Sequence, residues 1–302
     1  MERERWAELS QAISHVQRQL TPRPRDTHAT ALIVRVHLWS VLHERPTDWG
    51  CAPGNWSART RPQRPLPDQS TMSRRMRRAD FEAFLTRLGQ RLNGRPVASL
   101  LKIVDGKPLE LPNHSGDPDA AWGRGVSRTA VGYKLHVIWS AANPMPDAFA
   151  ITPLNRCEKQ MAARMVRRVG GTGSTGGTGY LLGDAHYNAS WLFDVCRHHD
   201  HQLLCPRAQP GSGLGHHYQS PHRLRVIDQL EPPGGLNEFG PALYERRSDI
   251  ERQFSQLCSF GGGLGPLPSW VRRIWRVRHW VWAKLLINAA RIRVNRKKEL
   301  AA

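Results

Sequence analysis

The chain has 302 residues, with 44 Lys and Arg against 25 Asp and Glu, a formal net charge of +19 and a sequence pI of about 10.9. That length can bury a large core and accommodates two domains. The charge predicts a polyanionic partner. No run of about 18 apolar residues is present, which excludes a membrane-spanning helix and favours nucleic acid over a membrane. The N-terminal MERERWAELS carries acids and lacks an apolar core, so a secretory signal is not expected. The five cysteines (Cys51, Cys157, Cys196, Cys205 and Cys258) are scattered and form no CxxC pair. They predict neither a disulfide framework nor a cysteine-based zinc site, and so a reducing, cytoplasmic setting.

Residues 1–20 carry Trp6, Leu9, Ile13, Val16 and Leu20 at helical spacing. Two prolines in 21–26 interrupt the pattern, and a second helix is predicted from about Thr27 to Glu44, stopped by Pro46. Residues 46–67 read as irregular loop. In DQSTMSRRMRRADFEAFLTRLGQRL, Asp68 or Ser70 can cap a helix. Arg74, Arg75, Arg77 and Arg78 are expected on its exposed side, with Phe81, Phe84, Leu85 and Leu88 behind them. This stretch predicts a helix-turn-helix-like reader of duplex DNA, and 1–94 a helical domain.

From Leu100 the texture changes. Strands are predicted at 100–105, 132–141, 147–154, 180–184 and 202–207, and helices at 157–169, 189–199, 242–260 and 270–298. The first three strands, joined by short loops, should form an antiparallel meander, and the later alternation makes the domain α/β. The Gly-rich 170–179 lacks the Gly-Lys-Ser/Thr ending of a phosphate loop and precedes a strand, so it reads as plain loop. His198, His199, His201, His216 and His217 match no closed zinc spacing. On the last helix, Trp270, Trp275, Trp280 and Trp282 read as packing residues. Its cations, among them Arg291, Arg293, Lys297 and Lys298, read as a phosphate-tracking series.

The chemistry gathers in three acids. Asp105 in KIVDGKP and Asp184 in YLLGDAHY each end an apolar run read as a buried strand. In YERRSDIE, Tyr244, Arg247 and Glu251 fall on one face of a continuous helix. Phosphodiester cleavage needs charge neutralised on the attacking and leaving oxygens. Two Mg²⁺ ions about 3.5–4 Å apart do this with few carboxylates, so Asp105, Asp184 and Glu251 are the candidate ligands.

On these residues the chain resembles insertion-sequence DDE transposases, in the group marked by a Tyr-x2-Arg-x3-Glu-x6-Lys signature. Tyr244, Arg247 and Glu251 fit its first three positions, and GYKLH (132–136) and DAHYNA (184–189) look like its flanking segments. The resemblance implies an RNase H-like mixed five-stranded sheet with flanking helices, in which the first and fourth strands are neighbours. It implies a catalytic domain over 95–302, with a β-rich insertion at 208–241 and the basic C-terminal helix 270–298. It also implies strand cleavage at transposon ends and 3′-OH transfer into target DNA. Mg²⁺ would be held by Asp105, Asp184 and Glu251, with Mn²⁺ as a substitute. Arg247 would hold phosphate and Tyr244 would orient the DNA backbone. A homodimer on double-stranded DNA, in a cytoplasmic and nucleoid-associated setting, is the implied assembly. The signature Lys falls at 258, where this chain has Cys258; Arg252 and Lys284 are candidate replacements. A nuclease without strand transfer and a non-catalytic DNA-binding descendant are the alternatives.

Overall fold

In the computed structural model the described residues are 2–21, 26–94, 99–112, 116–140, 142–169, 179–209, 213–214, 216–231 and 238–301. The Gly-rich loop lies outside them except for Gly179, as does part of the 208–241 segment. Clustering by contact separates two units, Pro96–Ser255 and the pair of segments Met1–Arg95 with Gln256–Ala302.

The first unit is built on a mixed sheet. Its strands are β1 (Leu101–Glu110), β2 (Ala121–Arg124), β3 (Thr129–Trp139), β4 (Ala148–Pro153), β5 (Gly179–Leu182) and β6 (His201–Leu204). Their order is β2-β3-β1-β5-β6, with β4 also pairing β3. β1, β3 and β4 form the antiparallel meander, while β1, β5 and β6 run parallel. β1 and β5 correspond to the first and fourth expected strands, and they are neighbours. β2 is an additional strand that forms a hairpin with β3. β3 is central and buried almost throughout, so Tyr133, Leu135, Val137, Ile138 and Trp139 form a nearly continuous apolar run.

Helices α6 (Glu158–Val169), α7 (Ser190–His198) and α8 (Pro221–Leu230) belong to this unit, with α6 against β3 and β4 and α7 against β6. Met161, Ala162, Met165, Val166 and Val169 form the buried stripe of α6 at helical spacing. The 208–241 segment departs from expectation. Among its described residues it contains no strand and instead carries α8. The Ser220 hydroxyl accepts hydrogen bonds from the His222 and Arg223 amides, and Pro221 follows at the first helical position, so the sequence starts a helix there.

The expected helix 242–260 also divides. α9 (Phe239–Glu245) ends before a turn at Arg246 and Arg247, and α10 (Ser248–Cys258) begins after it. The Ser248 hydroxyl donates to the Glu245 carbonyl (3.0 Å), and Arg246 Nε donates to the buried Asp249 carboxylate (3.0 Å). Such local side-chain bonds compete with the helix ladder and favour a new helix start.

The second unit is helical. It holds α1 (Glu2–Arg18), α2 (Thr30–Leu42), α3 (Thr47–Cys51), α4 (Gln69–Met76), α5 (Ala79–Asn93) and α11 (Ile274–Glu299). Residues 46–67, expected as irregular, contain α3 and a short 3-10 turn. The basic C-terminal helix, expected with the sheet, packs instead on α1, α2 and α5. The reason is its buried series Val277, Trp280, Val281, Leu285 and Leu286, which meets the apolar faces of those helices.

Candidate active site

The register of two strands positions the two aspartates. Ile103 of β1 pairs with Leu182 of β5 in the parallel ladder, and each is followed two residues later by an aspartate. Asp105 and Asp184 therefore emerge together where the β1–β5 pairing stops. Asp105 does not end its strand, as the sequence suggested; β1 continues to Glu110 because the antiparallel ladder with β3 persists, pairing Asp105 with Val137. Asp184 follows β5 and caps a 3-10 turn, accepting from the His186 amide at 3.0 Å and approaching His186 Nδ1 at 3.2 Å.

Asp105 is held largely out of water, which pushes its carboxyl up to about 6. The Gly106 amide, 2.7 Å from Oδ1, and the Arg247 guanidinium oppose the shift, while Asp184 and Glu158 add to it. Tyr244, on α9, lies in the same field. Burial raises its hydroxyl above the usual range, Arg247 counteracts, and Asp184 and Asp105 contribute further. Arg247, in the turn between α9 and α10, acts on Asp105 and also meets Glu251 across 3.5 Å. Glu251 itself is 68 % exposed on α10. Among the described residues no group of three or more His, Cys, Asp or Glu side chains is close enough to hold a metal ion. The structure thus brings together Asp105, Asp184, Tyr244 and Arg247. Glu251 is linked to that group through Arg247.

Three neighbours were not singled out from the sequence. Lys134 on β3 pairs with Glu158 on α6 at 2.5 Å, directly over Gly106. A Cβ at Gly106 would lie 3.3 Å from both side chains, so a larger residue would press on this pair beside Asp105. Tyr187 is fully buried; a Cβ on Gly183 would come within 3.0 Å of its ring. Its hydroxyl has no hydrogen-bond partner of good geometry and is raised well above the usual range by burial, then by Glu158, Asp105 and Asp184. Lys134 and Tyr187 lie within GYKLH and DAHYNA, so a signal existed for them. Glu158 had none beyond its place at a helix start. Arg247 Nε is likewise buried with no partner.

The arginines of 74–78 do not share one exposed side. Arg74 and Arg77 are exposed, and Arg77 stacks on Trp275. Arg75 is 5 % exposed and meets Asp26 and Asp80 at 3.1 and 3.6 Å, while donating to the His28 carbonyl. Arg78 binds the same two aspartates. Both are tied to carboxylates distant in sequence, which the sequence could not show. Lys284 is similarly buried against Glu44 and the Gly262 carbonyl, so it is not a free replacement for the cation missing at Cys258. Arg293 and Lys297 pair with Glu8, and Lys298 with Glu4, rather than forming an open phosphate track.

A mixed sheet that delivers two aspartates from adjacent parallel strands, with helices flanking it, is an RNase H-like fold. The chain matches the model of the transposase DDE domain family over residues 99–272, more than half its length, and belongs to that family. No curated protein and no solved structure matches it. The family is one of nucleic-acid-cleaving enzymes of the transposase type. No helix among the described residues is long and apolar enough to cross a membrane.

Proposed function

We propose that this chain is a DNA transposase that cuts a strand at the ends of its element and joins the freed 3′-OH to target DNA, using Asp105, Asp184 and Glu251. The observation that carries the reading is the shared register of Ile103 and Leu182, which brings two hard carboxylates to one point beside Arg247. Carboxylate oxygens suit a hard divalent cation. Asp184 raises the Asp105 carboxyl while Arg247 lowers it, so the two acids and the cation share one field. Asp105 and Asp184 would hold Mg²⁺ or Mn²⁺, joined by Glu251 once its carboxylate turns from Arg247. When bound, such ions neutralise charge on the attacking and leaving oxygens.

The chain's own groups have separate tasks. Arg247, released from Glu251, donates from its Nη1 to a phosphate oxygen. Tyr244 borders the same space and orients the strand. Asp105 must shed its proton to bind a cation. Arg74 and Arg77 are the members of the α4–α5 arginine set available to a DNA backbone. Two copies of the chain on DNA would hold two element ends.

A second reading, cleavage without strand transfer, is favoured by Cys258 and the internal pairing of Lys284. Purified protein, Mg²⁺ and DNA carrying the element's ends test both. Nicking followed by joined products is expected. Nicking alone selects the second reading, and no nicking by wild type defeats both in favour of a non-catalytic DNA binder.

A further inference from the structure

The β2–β3 hairpin has no part in the site, yet it carries the most exposed tryptophan of the sheet unit. Trp122 is 69 % and Val126 79 % exposed. Side chains alternate along β2, so Trp122 and Arg124 share one face. The opposite face has no room: a Cβ on Gly123 would lie 2.8 Å from the Leu154 backbone. Trp122 is therefore turned outward by a packed backbone behind it. Arg124 and Arg128 are exposed and make no ion pair among the described residues, unlike most cations discussed for the helical unit.

The tip is held in place. The Gly125 amide donates to the Arg128 carbonyl at 2.8 Å, and the Val126 amide to Glu110 Oε1 at 2.6 Å. A pre-ordered prong loses little entropy on binding. Its chemistry, one aromatic with two arginines beyond it toward the tip, fits a nucleic-acid strand, with the ring on sugars or bases and the guanidiniums on phosphates. A second copy of the same hairpin fits poorly, because a two-fold contact would set Arg124 and Arg128 against their own counterparts.

Position adds a length. Glu110 lies five residues beyond Asp105 on β1 and pairs with Gly132, which pairs with Ala121. Trp122 and Arg124 pair with Val131 and Thr129, six and eight residues from the Val137 that pairs with Asp105, or roughly 20 and 27 Å of strand and about six to eight base steps of DNA. We infer that the β2–β3 hairpin is a DNA-contacting prong, with Trp122, Arg124 and Arg128 gripping the duplex about six to eight base pairs from the phosphodiester at Asp105. The distance rests on the proposed cleavage site; the contact itself does not.

The test measures binding of the full chain to a random-sequence duplex in EDTA over a range of salt. Arg124→Ala/Arg128→Ala should make the slope of log K against log salt shallower by about 1.8, since two phosphate contacts are lost. Trp122→Ala should weaken binding about tenfold with the slope kept. Thermal melting should not change for either variant, because these side chains are exposed. Unchanged slope and affinity in both variants would overturn the inference. So would a Trp122→Ala shift from dimer to monomer in DNA-free sedimentation with DNA affinity intact, which would assign the face to a second copy. The binding assay needs no metal, so a wild type that binds with the expected slope in EDTA but never nicks DNA in Mg²⁺ defeats the cleavage reading and leaves the prong standing.

Discussion

The two units both tie cations to carboxylates, but they differ in what they leave outside such pairs. In the helical unit Arg75 and Arg78 are tied to Asp26 and Asp80, Arg293 and Lys297 to Glu8, and Lys284 to Glu44. In the sheet unit Lys134 is tied to Glu158, whereas Arg124 and Arg128 are exposed and make no ion pair among the described residues; a buried Nε without a partner occurs in both units, at Arg247 and at Arg75. A net charge of +19 therefore does not map directly onto a DNA-binding surface. An arginine whose fork is satisfied by two carboxylates contributes to folding. One that is exposed and outside any ion pair is open to a phosphate.

The largest expected effect lies in the sheet unit. Asp105→Ala should reduce strand nicking by at least about 10²–10³, read from gel assays in Mg²⁺, while the protein stays folded. Nicking that survives would remove Asp105 from the chemistry and with it half of the contrast. In the helical unit, Arg75→Ala should cost about 2–3 kcal/mol in a denaturant titration, because it removes buried charge-assisted bonds to Asp26 and the His28 carbonyl and leaves Arg78 as the remaining arginine on Asp26 and Asp80. A variant as stable as wild type but weak in DNA binding would reverse the assignment of this arginine.

A smaller effect separates stability from function at one residue. Asp105 titrates at about 6 when folded against an ordinary value of 3.8. The folded state thus binds that proton more tightly than the unfolded one. The associated stability is fully present below about 3.8 and lost as pH rises through about 6. Asp105→Asn should then be more stable than wild type by about 2 kcal/mol at pH 8 in EDTA, with the gain gone by pH 4. A gain that does not vary with pH would assign it to packing instead. The smallest effect concerns Glu251. Its pair with Arg247 is exposed and 3.5 Å long, so Glu251→Gln should shift stability by no more than about 0.5 kcal/mol. A larger shift would make Glu251 a structural residue, whereas a small shift with lost nicking would separate its proposed metal role from folding.

The aspartates were legible because each follows an apolar run, and apolar runs of that length make buried strands. The pairing of those strands was legible only through resemblance, since nothing local in LLKIVD or YLLGD says which strand lies beside which. The break between Tyr244 and Glu251 was hidden because helical spacing continues through it. Only the bonds of Arg246, Ser248 and Asp249 reveal the turn. The prong was hidden too: four residues of strand in a Gly-rich stretch carry too little pattern to be read.

By itself, then, the sequence determined the net charge, the order of most elements and the place of Asp105 and Asp184 after apolar runs. These depend on composition and on neighbours along the chain. Tertiary structure decided which cations remain free, that Asp105 lies within a strand rather than at its end, and that Glu158, Lys134 and Tyr187 surround it. Those properties depend on partners distant in sequence, such as Asp26 for Arg75 or Val137 for Asp105, and pairing and burial exist only once the chain has folded.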